Sequence, residues 1–455
     1  MTSIPVNQEE LQAATYASLR AHATSEQAKV LVAKLSSIVE DHTIEAGLRK
    51  KKRRDTAGRL EYAIGAFLAD LLRPLDAEEP NGWIYRSLQA KSFTGAAVPR
   101  RTFDQLIEGL KGLAFLDHLP GHKVSDEPED TGRYAARFRA TPALLRFCTE
   151  HGVEPKEVLD HFEFEYDLPK HPVELRARKL KNFFSGTELV GKPMKFEREW
   201  MVEVMEASIH ELNEFFAKQT LRGGVHQGYV RIFQNGDDPD FRWNKGGRFY
   251  SQPFVDCYQV MSAVRRAEMT INGEPIAEID IRASYLTIFL SLHGIQLDPD
   301  PTNDPYELPG LGPEQRAAVK AWMVATFGSA KPITRWPRRM LQKSPELRQH
   351  RVADITQAAF TKYPTLRTWG ERLNDRLYGW ADLMWLESAV MFSTMLDLAR
   401  EHGVPSLTVH DSLIVPASCA GLAHQTLTNR FLAQQKVTPL LKINLPKKES
   451  KSEGT

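Results

Sequence analysis

Cysteine is scarce in this chain. Three residues, Cys148, Cys257 and Cys419, are spread over 455 positions with no CxxC spacing. That excludes a disulfide framework and a cysteine-based zinc site, and predicts three buried thiols. Long apolar runs are also missing. Nothing approaches the roughly 18 consecutive apolar residues of a membrane span. The opening Met1-Thr-Ser-Ile-Pro-Val-Asn-Gln-Glu-Glu10 lacks a basic region followed by an apolar one, so a cytoplasmic protein with no membrane partner is expected. A charge excess is absent too. The formal net charge is +1, so a basic surface must be offset elsewhere. Segregation is visible: Arg49–Arg54 and Arg335–Arg339 are basic, whereas Asp126–Asp130 and Glu163–Asp167 are acidic and read as solvated faces. No internal repeat appears, and the polar tail at 446–455 reads as disordered.

What is present suits two or three domains with real cores, since 42% of residues are hydrophobic and 26% charged. Residues 1–78 read as a helical region, with helices over Glu9 to about Val39 and Leu60–Leu72. A compact module follows at 79–152. In it a turn leads to a helix from Asp104 to Leu113, then Phe115–Leu119, a polar loop and a second strand-like run, Tyr134–Thr141. That succession is a winged-helix pattern. Such a module would present Arg100 and Arg101, at its helix start, to the DNA major groove, with Arg137 and Arg139 on the wing reaching phosphates. A winged helix used only for packing is the alternative. Residues 153–222, from Val173 onward, read as a helical connector or thumb, and the glycine-rich Arg222–Gly228 opens a mixed region reaching 445.

Chemistry concentrates in that last region. Ser406–Pro416 alternates β-branched and apolar residues around a His410-Asp411-Ser412 tip, which places one carboxylate at a hairpin turn. A second strand-like run, Ala277–Leu286, carries Asp280. Nucleotidyl transfer needs two divalent ions bridged by carboxylates from separate strands, and Asp280 and Asp411 are the candidates for both catalysis and metal binding. Two magnesium ions suit hard oxygen ligands completed by phosphate, with manganese as a possible substitute. Glu278 would share the strand face of Asp280, an ordinary cross-strand role being its stronger reading. Between the two carboxylates Pro313–Ser329 reads as a helix in which Arg316 and Lys320, four apart, share a face and can clamp a triphosphate. Phe327 would stack on a base.

Taken in order, these segments resemble the palm and fingers of family-A DNA polymerases and the related single-subunit phage-type RNA polymerases. Glu278–Tyr285 resembles motif A, Arg316–Ser329 motif B and Val409–Ser412 motif C, while Lys245–Gln252 resembles the segment preceding motif A. A helix from about Trp385 to Arg400, containing Glu387 and Ser388, takes the place of the one before motif C. The resemblance implies an α+β right-hand fold with an antiparallel palm sheet and helical fingers and thumb, preceded by the helical and winged-helix region. It further implies that Arg248 contacts the primer–template duplex and that His410 positions the primer end. In this superfamily the residue five after the motif A aspartate faces the sugar 2′ carbon. Here it is Tyr285, bulky enough to exclude a ribose hydroxyl, which favours dNTPs.

His-Asp-Ser and Phe-Gly-Ser are closer to the RNA polymerases, so RNA synthesis or primase-like activity stays open. A non-catalytic winged-helix replication protein stays open as well. Lys320 and Phe327 stand seven apart where the family pattern has eight, which predicts a local bulge if both residues keep their roles. The N-terminal portion shows no carboxylate set for a proofreading exonuclease. The expectation is therefore a compact, template-dependent DNA polymerase of a plasmid, phage or mobile element, acting on a DNA primer–template with possible replication accessory proteins.

Overall fold

The computed structural model describes residues 11, 14–47, 54–76, 82–93, 96–121, 135–165, 167–178, 180–181, 188–189, 191–252, 257–300 and 302–445. The acidic run at 126–130, most of the basic run at 49–54, the loop expected to form the wing and the tail at 446–455 lie outside them. Described residues up to Asp167 form one compact unit and those from Leu168 onward another.

In the first unit the longer described helices, α1 (Glu26–Glu45), α2 (Arg54–Leu72), α3 (Arg100–Gly112) and α4 (Pro142–Glu150), accompany a four-stranded sheet. Its strands β1 (Thr15–Tyr16), β2 (Ile84–Arg86), β3 (Leu116–Leu119) and β4 (Ala136–Ala140) lie in the order β1-β2-β4-β3. Phe67 of α2, Phe103 of α3 and Phe138 of β4 meet edge to face at centroid distances of 5.2 to 5.8 Å, which fixes both helices on the sheet. One hydrophobic core runs from Ala17 to Phe162, so the regions expected at 1–78 and 79–152 share it. Of the helix expected from Glu9 to about Val39, residues 9, 10, 12 and 13 lie outside the described ones, Leu11 is helical, and the long helix starts at Glu26. Ser25 is extended and its Oγ accepts the Ala28 amide, a cap that stops the helix; short strands at Thr15–Tyr16 and Ala21–Ala23 precede it.

The second unit starts with another departure. The helical stretch expected from Val173 starts as a strand, β5 (Val173–Leu175), a short antiparallel pair Leu180–Lys181 and Glu188–Leu189 follows, and among the described residues of this stretch the helix is α5 (Trp200–Phe216). Pairing decides the outcome: β5 runs parallel to β6 (Tyr229–Phe233), which pairs antiparallel with β7 (Gly246–Ser251). The larger sheet is built around β8 (Glu274–Ile281), flanked by the hairpin of β9 (Leu407–Val409) and β10 (Ser412–Pro416) on one side and by β11 (Leu441–Asn444) on the other. All these pairings are antiparallel. Ala277, Ile279 and Ile281 of β8 are buried in the core, which by strand alternation leaves Glu278 and Asp280 on the opposite face. Helices α6 (Ser284–Leu292), α7 (Arg316–Phe327), α8 (Trp380–His402) and α9 (Ala420–Gln435) contribute to the same core. The architecture is thus mixed α and β, as expected. Among the described residues no helix is long and apolar enough to cross a membrane.

Candidate functional site

Register brings the two aspartates together. Asp280 lies directly opposite Ser412, the residue after Asp411, and the Ile281 amide donates to the Asp411 carbonyl at 3.1 Å. His410 occupies the first place of the two-residue turn with φ 59°, a left-handed conformation that favours glycine. The exposed imidazole is therefore held at the tip at some backbone cost. A buried network pins the hairpin from its other edge. The Tyr229 hydroxyl accepts the Thr408 amide at 3.0 Å, while the Tyr258 hydroxyl and Gln259 Nε2 donate to the Thr408 carbonyl at 2.9 and 2.8 Å.

Neither Asp280 nor Asp411 forms an ion pair or a hydrogen bond to another residue's side chain among the described residues. Burial, then neighbouring carboxylates, push both above the ordinary range. Glu278 acts this way on Asp280, whereas Glu387 and Asp280 act on Asp411. Lys320 on α7 and Lys442, the cross-strand partner of Asp280 on β11, pull Asp280 the other way. Two half-buried carboxylates without a counter-ion fit a divalent cation. A magnesium ion held by two carboxylates would complete its shell with water or phosphate oxygens.

The other two acids at this end of the sheet are already engaged. Glu278 pairs with Arg266 at 3.0 Å and accepts the Ser412 hydroxyl at 2.8 Å, the cross-strand role expected of it. Glu387, only 1% exposed, receives both Nε and Nη2 of Arg248 and the Ser284 hydroxyl. Burial opposes the charge of Arg248, and Glu387 overcomes that, holding the guanidinium above its usual range. Gly246 and Gly247 permit the approach. Both have φ near 80°, the Gly246 carbonyl accepts the Ser388 hydroxyl, and a Cβ at Gly247 would meet Ser388 Oγ at 3.2 Å.

Tyr285 follows a sharp turn at Ala283, which is left-handed at φ 51° and brings the first turn of α6 back beside β8. The ring is half-buried, with Arg248 5.7 Å from its centroid and Phe327 at 6.3 Å behind it. Phe327 itself corrects an expectation. It is 2% exposed and packed against Phe289 and Trp369 as well as Tyr285, so its faces are covered and it buttresses Tyr285 rather than offering a free stacking surface. The expected bulge is also absent. Helix α7 is regular from Arg316 to Phe327, and a separation of seven already keeps Lys320 and Phe327 on one face. Arg316 pairs with Asp304, and its guanidinium lies 5.4 Å from the Tyr306 ring. Burial, reinforced by Asp411, pushes the Tyr306 phenol up to about 12.

Sequence reasoning assigned no role to Glu387, Lys442 or Tyr306. Glu387 was visible only as a carboxylate in the helix before the hairpin, Lys442 needed the register of β11, and Tyr306 sits in a loop without periodicity.

The arginines expected to touch DNA belong to the first unit, and most are engaged internally. Arg100 Nε donates to both carboxylate oxygens of Asp104, at 2.8 and 2.9 Å. Arg137 and Arg139 lie on strand β4, within the strand-like run expected there, but both guanidiniums are engaged inside this unit, a correction to the expected phosphate contacts. Arg137 is buried over the Tyr85 ring and donates to the Leu11 and Ala135 carbonyls. Arg139 lies over Trp83 and pairs with Asp117 at 2.8 Å. Arg101 alone of the four is exposed without a side-chain partner among the described residues. Cys148 and Cys257 are buried, as expected, whereas Cys419 is partly exposed.

A scan against protein-family models and a search of curated proteins each gave no match to this chain.

Proposed function

We propose that the unit beginning at Leu168 is a template-dependent DNA polymerase, adding dNTPs to a primer 3′-hydroxyl. The observation that carries this reading is the pair of half-buried carboxylates Asp280, on β8, and Asp411, at the turn of the neighbouring hairpin, neither with an ion-pair partner among the described residues, with Lys320 of a separate helix acting on Asp280. A structural ion-pair network would have neutralised them, as it neutralises Glu278 and Glu387 a few residues away. The antiparallel sheet with its carboxylate hairpin, and the cationic helix beside it, are what a palm and fingers would supply.

In this reading Asp280 and Asp411 hold the ions. Magnesium bound there would lower the pKa of the attacking hydroxyl and neutralise charge on the departing pyrophosphate. Lys320 and Arg316 would bind the triphosphate, Arg316 exchanging Asp304 for phosphate. Arg248, fixed by Glu387, would contact the primer–template end near His410.

Tyr285 supports deoxyribonucleotides. A ring buttressed by Phe327 cannot yield easily to a 2′-hydroxyl, and excluding an added group by steric clash needs such rigidity. Ser412, which favoured RNA synthesis in the sequence, bonds to Glu278 and so has a structural reason to be there. In the first unit the order α2, β2, α3, β3, β4 with sheet order β2-β4-β3 supports a winged helix, with Arg101 as its available DNA contact.

Extension of a labelled primer–template with magnesium, using dNTPs or NTPs in parallel, tests the proposal. Extension with dNTPs is expected. Extension with NTPs alone moves the assignment to RNA synthesis, and none with either set overturns it.

A further inference from the structure

Past the end of α7 the chain folds into a strap whose surface has no use in the chemistry above. Between Ser329 and Ala353 there are seven lysines and arginines and one acid, Glu346, in a chain whose net charge is +1. Six of these cations, Lys331, Arg335, Arg338, Arg339, Lys343 and Arg348, are exposed and have no side-chain partner among the described residues. The strap is nevertheless well anchored. The Trp336 indole donates to the His350 carbonyl at 2.8 Å, closing the segment on itself, and Leu347 is buried. Ile333, Trp336, Met340 and Leu341 pack against the main core. The short helix Arg338–Lys343 thus turns Met340 and Leu341 inward and Arg338, Arg339 and Lys343 outward.

Cations on a fixed scaffold, unneutralised by neighbours, favour a regular polyanion over a single small anion, because several phosphates must be met at once. Continuity selects which one. The Ile333 amide donates to Thr326 Oγ1, and the Trp369 indole donates to the Thr326 and Ser329 carbonyls, joining the strap to the end of α7 where Phe327 backs Tyr285. We propose that the 331–348 surface binds the backbone of the unpaired template strand ahead of the nucleotide being copied. The identity of that strand rests on the polymerase reading; the polyanion site does not.

The test is equilibrium binding of the full chain to a fluorescein-labelled primer–template carrying an unpaired 5′ template extension, against the same duplex with a blunt end, across a salt titration and without nucleotide. The extension should tighten binding. Combined Arg338→Ala, Arg339→Ala and Lys343→Ala should remove that gain, about tenfold in affinity, and flatten the salt slope by about 2, since each single-strand phosphate contact contributes about 0.7. Blunt duplex should bind as before. Arg335→Ala with Arg348→Ala, outside the short helix, should act in the same direction. An extension that adds nothing, or an unchanged slope in both variants, overturns the proposal. Binding to phosphatidylserine vesicles that both variants abolish, with no preference for the extension, also overturns it and assigns the surface to a membrane. Because no nucleotide is present, failure of the polymerase reading is seen separately, in primer extension by the unaltered chain.

Discussion

The two units treat charge in opposite ways. In the first, arginines are absorbed by their own surroundings: Arg86 donates to the Ala17 and Ser92 carbonyls, Arg137 is buried over Tyr85, and Arg100 and Arg139 close on Asp104 and Asp117. In the second, charges of both signs are left without partners, Asp280 and Asp411 on the sheet and the six cations of the strap on the surface. Leaving a half-buried carboxylate unpaired costs stability, and a fold has reason to keep two side by side only if something else supplies the counter-charge. Charge changes in the first unit should therefore register as stability, and in the second as activity and binding.

The strongest way to break that contrast is at the aspartates. Asp280→Asn or Asp411→Asn should lower primer extension by at least about a thousandfold while primer–template affinity stays within about threefold, measured by single-turnover extension and anisotropy. Stability should rise or hold, since burial and mutual repulsion are relieved. Retained activity in either variant removes that residue from the metal site.

Glu387 tests the other side of the contrast, because it is a fully buried acid of the second unit that does have a partner. Glu387→Ala strands Arg248 in a largely buried place and should destabilise this unit by about 3 kcal/mol in denaturant unfolding. Adding Arg248→Met should recover part of the loss, as removing both partners costs less than removing one. No recovery would mean that the pair is not what holds this corner together.

Legibility followed sequence distance. The hairpin and Asp280 were readable because alternation and turn chemistry act over a few residues. Arg248 and Glu387 are 139 positions apart, and no local pattern pairs them. Arg137 and Arg139 share a strand face by simple alternation, yet whether that face is wet depends on Trp83 and Tyr85 of another strand. Phe327 was placed on the correct helix and face, but burial by Phe289 and Trp369 is a tertiary fact.

In the first unit, Asp70 provides a stability readout. It is 2% exposed and accepts the Leu19 amide at 2.7 Å and the Ser18 hydroxyl at 3.0 Å, yet burial pushes it up to about 6. A carboxyl whose folded pKa exceeds its unfolded value of about 3.9 favours folding most at low pH, and that contribution is lost as pH rises through about 6. Hydrogen exchange in this unit should report about 2 kcal/mol less stability at pH 7 than at pH 4 from this group. Asp70→Asn keeps an acceptor and should flatten the profile. An unchanged profile would place the pH dependence elsewhere.

The smallest expected effect decides whether the first unit binds DNA at all. Arg101 is exposed at the start of α3 without a partner, whereas Arg100 beside it is held by Asp104. If α3 meets duplex, Arg101→Ala should reduce the salt slope of duplex binding by about 0.9, the share of one phosphate, and Arg100→Ala by less, because its charge is already half answered. Arg137→Ala should leave the slope alone and lower stability instead, since its guanidinium serves buried carbonyls. If the Arg101 variant keeps the full slope, the first unit has no available cation among the four arginines considered for DNA, and duplex binding must come from the second unit, where charges stand free.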